Sequence, residues 1–214
     1  MNQAPAIKIC GIKSPMALDA TIRSRADHVG FVFCQRSPRN VSMAEAAALG
    51  DRAAGRIGKV GLFVDADDSF IGEAVAAAGL SAIQLHGSET VERSAQVRAR
   101  FGLPVWKAVS ISSAADLERA HTYADAVDLV LFDAKTPAGT LPGGMGLSFD
   151  WSLLAGWNGA VAWGLAGGLT PRNVADALQR TRAPLLDTSS GVESAPGVKD
   201  ADLISAFCSA ARAA

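Results

Sequence analysis

Apolar and polar positions fall in alternating blocks along this chain of 214 residues. Eight short runs rich in Val, Ile, Leu and Phe stand out: Ile7–Ile12, His28–Phe33, Lys59–Val64, Ala82–His86, Pro104–Ile111, Leu129–Asp133, Ala160–Leu165 and Ala183–Asp187. Near-continuous apolar runs of this length fit strands buried on both faces, as in a parallel sheet. The Ala-, Glu- and Arg-rich stretches between them have helical character. Eight strand–helix units in succession predict an α/β fold, a single-domain (β/α)8 (TIM) barrel spanning residues 1–214. Such a barrel carries its chemistry on the rim at the C-terminal ends of the strands, so each polar residue just after a run becomes a candidate.

Strands start at intervals of about 21 to 25 residues except after the second and sixth, where the chain is longer. The additions are Cys34–Val41 and Ala134–Gly146. Both fall on the catalytic rim, where long irregular loops are usually functional. Ser14-Pro15 and Thr170-Pro171 each read as an N-cap followed by proline at the first helical position. No linker, low-complexity block or boundary signal interrupts the pattern.

A formal net charge of −1 argues against a general nucleic-acid binder, which needs a basic face, and leaves room for a small anionic substrate. No apolar run approaches the roughly 20 residues of a membrane span. The opening residues show no basic stretch followed by a long apolar one, so a secreted protein is not expected. Three cysteines, Cys10, Cys34 and Cys208, make a disulfide framework a poor fit and suit a reducing cytoplasm. Cys and His show no metal-ligand spacing.

The loops after the seventh and eighth runs carry Gly167-Gly168 and Ser189-Ser190-Gly191. Many barrels hold a phosphate there, on bare backbone N–H groups and hydroxyl donors, with a short helix end adding a favourable dipole. Turn glycines alone would also account for Gly167 and Gly168; the pair of loops in these positions favours phosphate. Cys10 closes the first run and fits either a packed small hydrophobe or a reacting thiol. Asp133 ends the sixth run, as a helix cap, a partner for Lys135 or a catalytic acid facing a polar cavity. Asp187 closes the eighth run and either joins the site or orients the Ser189–Gly191 loop. Arg39, in Ser37-Pro38-Arg39, is either solvated or a fork for a substrate carboxylate. His86 and Lys107 lie near the rim without an assigned role. Trp106 and Trp163 read as core or helix-interface residues.

Taken together, Lys8-Ile9-Cys10-Gly11-Ile12, Ser37-Pro38-Arg39-Asn40-Val41, Gln84-Leu85-His86-Gly87, Leu131-Phe132-Asp133-Ala134-Lys135, Gly143-Gly144-Met145-Gly146, Leu165-Ala166-Gly167-Gly168-Leu169 and Ser189-Ser190-Gly191-Val192-Glu193 strongly resemble the phosphoribosylanthranilate isomerases of tryptophan biosynthesis. The resemblance runs in order over nearly the whole chain. It implies an Amadori rearrangement of a small phosphorylated substrate, with Asp133 as acid at the ring oxygen and Cys10 as base at C2′. It implies no cofactor, because the substrate's own nitrogen is the electron sink, and either a monomer or a homodimer. The chemistry asks for a thiol with raised thiolate fraction, through positive charge from Arg39 or a dipole, and for an Asp133 shifted upward by burial. Two departures from the family pattern are visible: Met145 stands where Ser or Thr is usual, and Thr188 where a small aliphatic residue is. The histidine-pathway isomerase, similar in fold, has aspartate where Cys10 stands. A metal-dependent epimerase is disfavoured because His28, His86 and His121 form no ligand set with the strand-end acids. A barrel that only binds a phosphometabolite would need neither Cys10 nor Asp133.

Overall fold

Side chains alternate between the two faces of a strand, so a run with no polar side must find apolar surroundings on both. The computed structural model, which describes residues 4–134 and 149–214, provides them by closing the strands on themselves. β1 (Ala6–Cys10), β2 (His28–Phe33), β3 (Gly58–Phe63), β4 (Ala82–Leu85), β5 (Val105–Ile111), β6 (Leu129–Ala134), β7 (Ala162–Leu165) and β8 (Leu185–Thr188) form a closed barrel in chain order. Neighbouring strands are parallel throughout, including the β1–β8 pair that closes it. All eight sequence runs correspond to these strands.

On β1, Ile7 and Ile9 face outward into the large core shared with the helices, while Cys10 faces inward with Val32 and Leu62. The lower interior is filled by Val60, Ala82, Trp106, Leu129, Leu131, Ala166 and Leu185. Apolar side chains thus plug the barrel from below, and polar ones occupy the inward positions nearer the C-terminal rim.

The outer layer comprises α1 (Pro15–Arg23), α2 (Met43–Ala53), α3 (Asp68–Ala78), α4 (Val91–Phe101), α5 (Ala114–His121), α6 (Val174–Thr181) and α7 (Ala201–Ala213). Ser14 caps α1 by accepting from the Ala17 N–H at 3.2 Å, with Pro15 at the first helical position, as the sequence predicts. Between β6 and β7 the described residues hold only a 3-10 segment, Trp151–Gly156, in place of a full helix. It packs against α6 and covers that side of the barrel. The Thr170-Pro171 signal marks a turn rather than the helix start. Asn173 accepts from the Thr170 N–H at 2.7 Å and donates to the Gly168 carbonyl at 2.9 Å, and α6 proper begins at Val174. The long loop after β6 from Lys135 to Gly146, with Met145, lies outside the described residues. No helix among the described residues is long and apolar enough to cross a membrane.

Helix α2 begins with a reciprocal cap. Ser42 Oγ accepts from the Glu45 N–H at 3.2 Å, and Glu45 Oε2 accepts from the Ser42 N–H at 2.7 Å. Ser42→Ala is expected to cost about 1 kcal/mol in urea denaturation without changing function, since α2 starts away from the barrel interior. An unchanged denaturation midpoint would count against the cap.

Candidate active site

The β1–β8 register sets Lys8 opposite Asp187. Lys8 has no exposed surface, and its Nζ donates to Asp187 Oδ1 at 3.1 Å and Oδ2 at 3.0 Å. Burial works against the Lys8 ammonium, but the Asp187 carboxylate and the Cys10 thiol together outweigh it and hold the Lys8 pKa above its ordinary value. Two residues further along the same face of β1 stands Cys10, buried at the end of the strand. Burial, with the Asp187 charge adding to it, holds the Cys10 thiol above its ordinary value, and the ammonium groups of Lys8 and Lys199 pull it only part of the way back. The raised thiolate fraction expected from the sequence is thus not met in this site. Positive charge at the thiol therefore comes from these two lysines. The expectation that Arg39 supplies it is corrected, because the Arg39 guanidinium is turned toward an acidic residue.

That residue is Glu193, which takes the Arg39 Nε at 2.8 Å and Nη2 at 2.7 Å in a two-pronged pair. The Arg39 stem lies across Gly11, whose φ is +80° and where a Cβ would sit 2.6 Å from Arg39 Cδ. Only a bare α-carbon lets the arginine settle there beside Cys10. Glu193 opens a small hairpin, β9 (Glu193–Ala195) and β10 (Val198–Lys199), that follows β8. Lys199 donates to Glu193 Oε1 at 2.6 Å and to the Ser189 carbonyl at 2.9 Å. The Ser189 hydroxyl donates to the Cys10 carbonyl at 3.1 Å. One acidic side chain thus ties the β2 loop to the segment after β8.

Across the mouth, Asp133 is buried at the end of β6. Its Oδ1 accepts from the Ala134 N–H at 2.8 Å, and its Oδ2 faces His86 Nε2 at 3.2 Å. The amide of Gln84 contacts His86 Nδ1 at 3.0 Å. With the amide donating, Nδ1 accepts and the ring proton on Nε2 points at Asp133. Gly167, at φ +81°, lets the β7 loop approach closely: a Cβ there would lie 2.5 Å from the Ala134 nitrogen and 2.9 Å from Asp133 Oδ1. Gly168 also has positive φ. Asp187 feels the charges of both Asp133 and His86, which joins the two halves of the mouth electrostatically. Thr188 donates to the Leu169 carbonyl at 2.7 Å, so its departure from an aliphatic residue is accommodated by a buried hydrogen bond between the β7 and β8 loops.

The structure therefore gathers Cys10, Asp133, Asp187, Arg39, Gly167, Gly168, Ser189, Ser190 and Gly191 at the C-terminal ends of β1, β2, β6, β7 and β8. Sequence reasoning passed over Lys8, Gln84, Glu193 and Lys199 and left His86 unassigned. A signal was present for two of them. Lys8 and Gln84 are polar residues inside apolar runs, two positions before Cys10 and His86, and period-two spacing places each on the same face as its neighbour. Lys107 belongs elsewhere. It donates to Glu89 at 2.9 Å and to the Gly87 carbonyl at 2.8 Å beneath the β4 loop. Cys208 lies on α7 with its thiol pushed by burial to about 11. Among the described residues no group of three or more His, Cys, Asp or Glu could hold a metal ion.

Fold and site together define a (β/α)8-barrel protein with a buried thiol and a buried carboxyl at the C-terminal rim. The family model described as N-(5′-phosphoribosyl)anthranilate (PRA) isomerase matches residues 7–210, and the chain belongs to that family. It is 52% identical over 207 residues to the N-(5′-phosphoribosyl)anthranilate isomerase of Paramagnetospirillum magneticum, covering 96% of each chain. The crystal structure of phosphoribosyl anthranilate isomerase from Thermotoga maritima superimposes with a TM-score of 0.89 at 36% identity, covering 98% of this chain and all of that one. A second solved isomerase, in complex with reduced 1-(o-carboxyphenylamino)-1-deoxyribulose 5-phosphate, matches with a TM-score of 0.85 at 33% identity, over 98% of this chain and 100% of its own.

Burial alone would raise the Glu193 carboxyl, but hydrogen bonds and charge from Arg39 and Lys199 hold it below its ordinary value of 4.5. The folded state then binds fewer protons there than the unfolded chain. The stability this confers is complete above about pH 4.5 and is lost as pH falls through the lower folded value. Glu193→Gln should destabilise the protein at neutral pH and flatten the acid side of its stability–pH curve. Urea midpoints measured across the acidic range check this; parallel curves for wild type and variant would refute it.

Proposed function

We propose that this protein converts N-(5′-phosphoribosyl)anthranilate into 1-(2-carboxyphenylamino)-1-deoxyribulose 5-phosphate, with Cys10 as general base and Asp133 as general acid. The observation that carries the reading is the placement of a buried thiol and a buried carboxyl at the ends of β1 and β6, facing one barrel mouth. Family membership supplies the substrate class, and the ligand named for the second solved isomerase is a reduced form of this product.

Asp133 donates a proton to the furanose oxygen as the C1′–O bond breaks, leaving an iminium between C1′ and the anilino nitrogen. The Nε2–H of His86, at 3.2 Å from Asp133 Oδ2, fixes the orientation of that carboxyl group. The iminium acidifies C2′–H. Cys10 takes that proton as the C–H electron pair flows toward nitrogen, giving an enolamine that tautomerises to the ketone. Because the substrate's nitrogen receives the electrons, the chemistry requires no other electron sink.

Gly167, Gly168, Ser190 and Gly191 are assigned to the phosphate, through backbone N–H groups on the two loops. Ser189 joins them through its backbone, since its hydroxyl is engaged by the Cys10 carbonyl. Arg39, oriented by Glu193, is assigned to the anthranilate carboxylate. Asp187 contributes through Lys8 and completes the floor under the reacting carbons.

The test is loss of substrate fluorescence on adding purified protein to phosphoribosylanthranilate generated in place. Cys10→Ser and Asp133→Asn should each lose kcat by about 10²-fold or more, since each removes a proton-transfer group. Near-normal turnover by either variant would remove that residue from the mechanism. Ligand protection against unfolding without turnover in the wild type would instead identify a binding protein.

A further inference from the structure

We propose that Lys8 is a positioning residue for the base: its ammonium, held inside the barrel by the Asp187 carboxylate, shares the inward face of β1 with the Cys10 thiol, and its charge favours the thiolate. The proposal rests on Cys10 acting as the base. Lysine is among the residues least often fully buried, and here one has no exposed surface at all. A buried ion pair is a poor means of stabilising a core, because apolar side chains of similar volume do as well or better. The pair's position, on the strand face that ends in Cys10, points to a task beyond packing.

The geometry is specific. Lys8 and Cys10 are two residues apart on β1 and share its inward face. Opposite them on β2 stands Gly30, paired with Cys10 in register. A Cβ on Gly30 would fall 2.8 Å from Cys10 Sγ and 3.2 Å from Lys8 Cε. The missing side chain is the space in which the lysine stem and the sulfur come together. An ammonium has three N–H donors. Two are taken by the Asp187 oxygens, at 3.1 and 3.0 Å, which anchors the ammonium on the side of the barrel where β1 ends in Cys10.

The other charged groups around the thiol have different partners. Lys199, at the end of β10, pulls the thiol in the same direction as Lys8, yet its Nζ is bound by Glu193 and Ser189. Arg39 lies over Gly11 with its guanidinium on Glu193. Asp187 on β8 opposes the thiolate, and it faces Asp133 on β6 and His86 on β4. His28, next below on β2, is held toward its neutral form by burial and by the Lys8 charge. Lys8 is therefore the cation that shares the inward face of β1 and the Gly30 gap with the sulfur. During catalysis the C2′–H bond breaks, the S–H bond forms, and the C–H electron pair passes into the iminium. As the sulfur loses its charge, the ammonium keeps its hold on Asp187, and no side chain has to move.

The thiol can be titrated directly by its ultraviolet thiolate absorbance, taken as the difference from Cys10→Ser. In Lys8→Met the midpoint should rise by about one pH unit or more, the size expected on losing an adjacent opposite charge. The acidic limb of kcat/KM should rise with it. Lys8→Arg should restore most of the shift, and Asp187→Asn, which removes the competing carboxylate, should move the midpoint down. An unchanged midpoint in folded Lys8→Met overturns the proposal. If Lys8→Met does not fold, a midpoint that stays level or rises in Asp187→Asn overturns it. Full turnover by Cys10→Ser, with the thiol midpoint still following Lys8, would defeat the base assignment while supporting the thiol–ammonium coupling.

Discussion

The pairing of β1 with β8 is the constraint on which this molecule depends. Without it the eight strands would form an open sheet with two unsatisfied edges, and no interior would exist to exclude water. Its register is also what places Lys8 level with Asp187. Slipping by one residue would reverse which side chains face inward and push a lysine into the apolar layer between strands and helices. The ion pair and the ladder specify one another: burial makes the pair intolerant of misalignment, and the ladder provides the one alignment in which both charges are satisfied.

Above that closure the polar residues form two groups. On one side Lys8, Asp187 and Cys10 share a small amount of charge among three atoms that water does not reach. On the other, Gln84, His86 and Asp133 form a chain of contacts leading from the strands to the mouth. The groups communicate through Asp187, which feels both. Apolar residues below, and the Arg39–Glu193–Lys199 cluster beside the thiol, keep these charges at low effective dielectric, where a neighbour's sign strongly affects proton affinity. Glycines contribute by absence. Gly11, Gly30 and Gly167 each leave a gap that a functional side chain or loop occupies.

Much of this was legible in the sequence. Buried parallel strands declare themselves as apolar runs, and the strand-then-polar rule brought Cys10, Asp133 and Asp187 to the correct end of the barrel. Legibility failed where partners are distant along the chain or where a residue imitates another pattern. Glu193 meets Arg39 across a separation that no local pattern encodes. Lys8 resembles an ordinary strand-edge lysine until the barrel closes around it. Thr170-Pro171 mimics a helix start, whereas Asn173 completes a turn and delays the helix. The stretch before β7 yields a 3-10 segment because three-dimensional packing, rather than local propensity, decides how that side of the barrel is covered.

The β1–β8 ladder and the hairpin behind it also have a consequence for how the protein is made. Synthesis delivers Cys10 near the beginning of the chain and Asp187, Glu193 and Lys199 near its end. A growing chain can pack strands and helices as they emerge, but β1 keeps one edge unpaired until β8 arrives. The slowest contacts to form are thus those that close the site, as expected when loop-closure entropy must be overcome before non-local contacts reward it. A truncated product lacking the last strand would hold Lys8 without Asp187, with a bare edge beside the thiol. Closure of the barrel and assembly of the site are in this sense a single event.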